Sequence, residues 1–89
     1  MTNHAKVFLE SRGINGKDPH YCEYCGKGVM EARDLGVHHI RYRSMGGTDE
    51  ETNLLGVCSD CHDYIHANNI SEDAIVPHVK DLLNYLRGN

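Results

Sequence analysis

Residues able to bind metal ions are concentrated in one stretch of this 89-residue chain. Residues 37–66 read VHHIRYRSMGGTDEETNLLGVCSDCHDYIH, with four histidines, one asparagine and a C-x2-C pair, and a second such pair, CEYC, lies upstream. The spacing separates into a four-cysteine set, which suits structural zinc, and a histidine set, which suits a reactive metal centre. The pattern therefore predicts two metal sites with different tasks.

The cysteines form two pairs of equal spacing, Cys22 with Cys25 and Cys58 with Cys61. Each pair can present two thiolates to one ion across a tight turn, for which Gly26 supplies backbone freedom after the first pair. The alternatives are two disulfides, redox pairs or free buried thiols. Because a C-x2-C turn gains little from disulfide pairing and a short chain buries little surface, we predict one structural Zn²⁺ ion held by all four sulfurs.

Composition places limits on location and partners. The N-terminal residues lack the apolar core of a signal peptide, and no apolar run approaches the roughly eighteen residues of a membrane span. We therefore expect a cytoplasmic protein without membrane contact. The net charge of −4 is unusual for a nucleic-acid binder. However, residues 35–48 contain no acidic side chain, and Arg41 and Arg43 in that stretch are candidates for binding DNA phosphates.

The elements that must position these residues suggest a single domain over residues 1–89, of the α+β class. Apolar periodicity, glycines and turn residues indicate the element boundaries. In chain order we predict a helix over 3–12, strands over 29–32, 36–42 and 53–57, a helix over 59–68, and a C-terminal helical segment over about 71–87. In that last segment, Pro77 suits the first helical turn and four apolar residues form one stripe, Val79, Leu82, Leu83 and Leu86.

This arrangement divides the histidines. Neighbouring residues of a strand point to opposite faces, so His38 and His39 cannot both bind one ion in simple geometry. His62 and His66 lie four apart on the predicted helix, with their Cβ atoms about 5 to 6 Å apart. One strand histidine added to this pair makes three protein ligands with open positions, as in a catalytic site. The other is a general-base candidate, because its reference pKa is about 6.5.

The residues HHI, GG, NL and CSDCH, in this order within about residues 20–67, resemble the signature of the HNH endonucleases. The resemblance implies a small zinc-stapled ββα-metal fold with flanking N- and C-terminal helices. It implies His38 as the first metal ligand, His39 as the general base and His62 as the helix ligand. His66 matches the additional histidine of colicin-type members. Asn53 matches the middle asparagine, which orients the base or contacts the metal.

The resemblance further implies metal-dependent hydrolysis of DNA phosphodiester bonds, leaving 5′-phosphate and 3′-hydroxyl ends. Imidazole ligands favour Mn²⁺, Ni²⁺, Zn²⁺ or Co²⁺ over Mg²⁺, although cellular abundance can still select Mg²⁺. We expect nicking of double-stranded DNA with little sequence preference, because contacts to the phosphate backbone carry little sequence information. The oligomeric state is not specified by the sequence.

Two other functions fit parts of the pattern. The first is a catalytically inactive, zinc-stabilised module that binds nucleic acid, and the four cysteines alone would fit it. The second is a toxin-like nuclease with a neutralising partner. The similarity to small phage and prophage members also suggests work beside other phage DNA-processing proteins in a host cytoplasm. The complete histidine and asparagine set favours the nuclease, since a binding module has no chemical need for a base beside an open metal site.

Overall fold

A computed structural model of the chain describes residues 3–88, apart from the side chains of Asn3 and Arg43. The described part is an α+β fold, as predicted, with two small antiparallel sheets and four helices. None of these helices is both long and apolar enough to cross a bilayer. The elements are α1 Asn3–Arg12, β1 His20–Tyr21, β2 Gly28–Val29, β3 Gly36–His39, β4 Leu54–Val57, α2 Ser59–Ala67, α3 Glu72–His78 and α4 Lys80–Leu86.

Two antiparallel hairpins carry the first cysteine pair and the strand histidines. In the first, β1 pairs with β2 and the first cysteine pair lies in the connection. In the second, β3 pairs with β4 in a register that sets Gly36 opposite Val57 and His39 opposite Leu54. β4 is buried along its whole length and leads directly into α2. The order β3, β4, α2 therefore forms a ββα unit.

Both predicted strands before residue 43 are shorter in the structure. The strand predicted over 29–32 is reduced to β2, and the one predicted over 36–42 ends at His39. The second ends early because the chain turns sharply, with the Tyr42 carbonyl accepting hydrogen bonds from the backbone of Met45 and Gly47. A Cβ atom on Gly47 would collide with the backbone oxygen of Arg41, so this turn requires glycine.

The hydrophobic core lies between α1, the ββα unit and the C-terminal helices. α1 contributes Phe8, whose ring occupies the space beside Gly56 of β4, where a Cβ atom would overlap the ring. The remaining large, fully buried apolar residues come from β4 and from one residue on each of the last three helices: Leu54, Leu55, Val57, Ile65, Ile75 and Leu83. Packing of α1 against β4 thus places the N-terminal helix over the hairpin that carries the histidines.

The C-terminal segment forms two helices instead of one. Pro77 lies in the last turn of α3 instead of the first turn of a long helix, and the backbone bends at Val79, which has φ −113° and ψ 22°. Proline has no N–H to continue the helical bonding and its ring crowds the preceding turn. The bend lets both helices bury apolar side chains, Ile75 from α3 and Leu83 from α4. The predicted stripe is a core face, with Val79 and Leu83 buried and Leu82 and Leu86 partly buried.

A buried ion pair joins α1 to the first cysteine turn. The guanidinium of Arg12 donates from Nε and Nη2 to the two carboxylate oxygens of Glu23, each at 2.9 Å. Side-chain exposure is only 3% for Arg12 and 0% for Glu23. The carboxylate also accepts from Gly56 N at 2.9 Å and bonds His20 Nε2 at 3.1 Å, and Arg12 Nη2 donates to Leu54 O at 2.8 Å. One network therefore connects α1, the first hairpin and β4.

We expect Glu23→Ala to lower the free energy of unfolding by about 3–5 kcal/mol, because it leaves the Arg12 guanidinium buried without its counter-charge. Urea unfolding of the zinc-loaded protein measures this loss. Glu31→Ala is the matched control, since it removes the exposed Glu31–Arg33 pair, whose atoms lie 2.7 Å apart and which we expect to be worth about 0–1 kcal/mol. Equal losses in the two variants would contradict a structural role for the buried network.

Candidate functional site

The four cysteines converge although the two pairs are far apart in sequence. Their sulfur atoms lie within 4.8 Å of one another, and the sulfurs of Cys25 and Cys58 are 3.9 Å apart. A tetrahedral zinc site with Zn–S bonds of about 2.3 Å requires sulfur separations of about 3.8 Å. The backbone N–H groups of Cys25 and Cys61 point at the sulfurs of Cys22 and Cys58, each at 3.5 Å. The arrangement is thus one four-sulfur cluster suited to zinc.

The electrostatics of the thiols also favour a bound cation. Burial opposes ionisation of Cys22, but hydrogen bonds from nearby backbone groups outweigh it and lower the pKa of this thiol to about 7. For Cys61, burial and the hydrogen bonds with the neighbouring cysteines both raise the pKa. Four closely spaced thiolates would repel one another in the absence of a positive ion. A divalent cation bound by the cluster would remove this repulsion and hold all four in the deprotonated form.

Three histidines converge in a second cluster. His38 on β3 and His62 and His66 on α2 present ring nitrogens within 4.8 Å of one another. The two helix rings have their centroids 4.5 Å apart, as expected for residues four apart on a helix. His38 is buried, His62 is partly exposed and His66 is exposed, so one side of the cluster faces solvent. The cluster can therefore offer three ligands while leaving room for other ligands on the open side.

His38 has the chemical state of a metal ligand. Its Nε2 is buried and has no hydrogen-bond partner among the described residues, which is costly for a buried polar atom. Burial, followed by the nearby His66, His62 and His39, lowers the pKa of His38 to about 4. At neutral pH the imidazole is therefore uncharged and can donate a lone pair. A metal ion held by the three-histidine cluster would give this nitrogen the partner that it lacks.

His39 belongs to a different group of side chains. Its Nε2 lies 2.8 Å from Oδ1 of Asp49, and its ring meets the ring of His4 edge to face with centroids 5.0 Å apart. The donor atoms of these three residues lie within 4.8 Å of one another. The sequence assigned no function to His4, and its place in α1, far from the motif, carried no signal. Sequence reasoning also missed Asp49, although this residue lies two positions after the glycine pair of the motif.

Asn53 holds the loop between β3 and β4. Its Oδ1 accepts from the backbone N of Arg41 at 2.8 Å, and its Nδ2 donates to the carbonyls of Thr48 at 2.7 Å and Arg41 at 3.2 Å. Both N–H donors and the oxygen of this amide are thus hydrogen-bonded to the backbone of the loop. This geometry favours orientation of the loop over metal coordination.

The two arginine candidates have different surroundings. Arg41 is exposed, and its Nε lies 3.4 Å from a carboxylate oxygen of Glu72 at the start of α3. This acidic neighbour partly offsets the positive charge of Arg41, although residues 35–48 themselves contain no acidic side chain. The side chain of Arg43 lies outside the described part of the structure.

Comparison with known proteins identifies the family. A family model of the HNH endonuclease matches residues 22–68, more than half of the chain and the part that contains both clusters. The chain belongs to the HNH endonuclease family. It is also 30% identical over 76 residues to the type IV methyl-directed restriction enzyme EcoKMcrA of Escherichia coli (strain K12). That alignment covers 80% of this HNH chain but only 25% of the restriction enzyme, so the chain spans about a quarter of that relative's length.

We expect Cys58→Ala to abolish zinc binding and cooperative folding, because this residue supplies one sulfur and also caps α2. Structural zinc contributes about 10–16 kcal/mol in small domains, comparable to or above a total stability of about 5–15 kcal/mol. Elemental analysis and circular dichroism of the purified protein measure both effects. Ser59→Ala, at the exposed neighbouring position, should retain zinc and structure. Wild-type zinc content together with cooperative folding in Cys58→Ala would exclude the four-sulfur site.

Proposed function

We propose that this protein is a metal-dependent endonuclease that hydrolyses DNA phosphodiester bonds, nicking one strand at a time with little sequence preference. The observation that carries the proposal is the separation of the two neighbouring strand histidines: His38 joins two helix histidines around an open cluster, while His39 is held apart by Asp49. A metal site beside an independent base is what hydrolysis by an activated water requires. Membership of the HNH endonuclease family supports the same activity.

His38, His62 and His66 would hold the catalytic ion, and imidazole ligation is compatible with Mn²⁺, Ni²⁺, Zn²⁺ or Co²⁺, with Mg²⁺ less favoured by ligand type. When bound, such an ion stabilises negative charge on a phosphate and on the departing 3′ oxygen. The structural Zn²⁺ ion would be held by the four cysteines. These assignments rest on the donor sets and their convergence.

His39 would act as the general base. With the Nε2–H group donating to Oδ1 of Asp49, the lone pair of the ring lies on Nδ1 and can accept a proton from an attacking water. The hydrogen bond also fixes the ring orientation, since a carboxylate partner selects one tautomer. Asn53 would position this arrangement indirectly, because its amide bonds hold the loop on which Asp49 lies.

Binding of DNA would rely mainly on the phosphate backbone. Arg41 and Arg43 follow the strand that carries His38 and His39, and guanidinium groups bind phosphate oxygens bidentately. Arg41 would exchange its contact with Glu72 for a phosphate. Because such contacts position the duplex without reading bases, cleavage should show little sequence preference. A single site of this kind cuts one strand per encounter.

We expect His39→Ala to lower the nicking rate by about 10²–10⁴-fold while Co²⁺ still binds the three-histidine cluster, because the variant removes the base and leaves that cluster intact. His62→Ala should lose both Co²⁺ at this cluster and nicking. The assay uses supercoiled plasmid and chelator-treated, zinc-loaded protein titrated with Mn²⁺, Ni²⁺, Zn²⁺ and Mg²⁺.

Wild-type turnover in His39→Ala would contradict the general-base assignment. If the wild-type protein bound the plasmid but nicked it with none of the four ions, the proposal of hydrolysis would fail and a binding module would replace it.

We expect Asn53→Ala to reduce nicking by roughly tenfold. Losing its hydrogen bonds would destabilise the ordered loop that carries Asp49 by on the order of 1.4 kcal/mol or more. Co²⁺ affinity at the three-histidine cluster should stay at the wild-type value. Asn84→Ala, an exposed asparagine on α4, is the control and should change neither property. A parallel fall in Co²⁺ affinity for Asn53→Ala would indicate coordination in place of orientation.

A further inference from the structure

A third set of metal-binding side chains lies outside both clusters described above. His4 comes from α1, His39 from β3 and Asp49 from the loop before β4, and their donor atoms lie within 4.8 Å of one another. None of the three belongs to the three-histidine cluster. His39 directly follows His38 in β3, so the third set and the three-histidine cluster use neighbouring positions of one strand without sharing a side chain.

The chemistry of this set suits zinc. Two imidazoles and one carboxylate are a common ligand combination for Zn²⁺, with bonds of about 2.0–2.2 Å. His39 Nε2 and Asp49 Oδ1 are already 2.8 Å apart, and the rings of His4 and His39 meet at 5.0 Å between centroids with an interplanar angle of 66°. All three residues are partly exposed, so an ion can reach them from solvent.

We propose that His4, His39 and Asp49 form an inhibitory zinc site, which on filling withdraws His39 from catalysis. The binding of zinc here is independent of the activity of the protein. The inhibitory consequence rests on the proposed function, because it requires His39 to be the base.

The inhibition follows from the two nitrogens of one imidazole ring. Without zinc, the proton of neutral His39 lies on Nε2 and is donated to Asp49, and Nδ1 carries the lone pair. An ion bound through Nε2 uses the lone pair of that nitrogen, so the ring proton moves to Nδ1 and the ring stays neutral. Nδ1 then cannot accept a proton from water. The proton count of the ring is unchanged, and only its position differs.

As the zinc concentration rises, the three-histidine cluster should fill before the site formed by His4, His39 and Asp49. Zinc at the three-histidine cluster supplies a partner to His38 Nε2, which has none among the described residues. Zinc bound by His4, His39 and Asp49 must first break the existing hydrogen bond between His39 and Asp49. The second site should therefore bind more weakly. Activity would first be supported and then suppressed as the zinc concentration rises.

The binding test is a Co²⁺ titration followed by visible absorbance, on full-length protein that retains its structural zinc. Wild type should show two binding events. His4→Ala and the more conservative His4→Gln should weaken the second by at least about tenfold, no less than the 10–100-fold cost of altering a supporting residue around a metal. Lys6→Ala, an exposed position on the same helix, is the control and should match wild type. A second event unchanged in both His4 variants would overturn the site.

The inhibition test measures plasmid nicking with Mn²⁺ as the activating ion and increasing Zn²⁺. Wild type and Lys6→Ala should lose activity at zinc concentrations that leave His4→Ala and His4→Gln active, with a shift in half-inhibition of at least about tenfold. Identical inhibition curves would overturn the regulatory role. If no variant nicks DNA, the proposed function fails, whereas the Co²⁺ titration still decides whether the third site exists.

Discussion

The meeting of four sulfur atoms constrains the rest of the molecule. Two of them lie in the first hairpin, and the other two lie at the end of β4 and in the first turn of α2. Cys58 caps α2 through its sulfur, and Cys61 immediately precedes His62 in the same helix. Holding these sulfurs in one cluster therefore fixes the start and direction of α2. The imidazoles of His62 and His66 are oriented as a result, so the structural cluster also prepares the histidine cluster.

The strand β3 keeps two neighbouring histidines apart. The pleat directs His38 into the core beside α2 and leaves His39 facing α1 and the following loop. The same short strand thus serves two chemical environments. His38 is buried and uncharged at neutral pH, and Nε2 of His39 lies 2.8 Å from a carboxylate oxygen of Asp49. Asn53 stabilises the loop that brings this carboxylate into place.

The buried ion pair between Arg12 and Glu23 links the N-terminal helix to the first hairpin and to β4. A buried charge pair gives little net stability, but it is specific in geometry, because each charge is costly unless its partner is in place. Here the carboxylate also pairs with the backbone of Gly56 in β4. α1 is therefore held in one position over the second hairpin. That position is what brings His4 within reach of His39.

Residue spacing along the chain was enough to predict the α+β class, the helix over 3–12 and the family, because it encodes local geometry. Two C-x2-C pairs and histidines four apart on a helix specify which residues can share an ion, whatever the rest of the chain does. Tertiary packing, in contrast, produced three further features. It split the C-terminal segment into two helices at Val79, because the bend lets both helices bury apolar side chains, whereas the apolar pattern of the sequence predicted one continuous helical segment. It paired Arg12 with Glu23, residues that resemble ordinary surface charges in sequence. It also joined His4, His39 and Asp49, because only packing brings together side chains from elements distant along the chain.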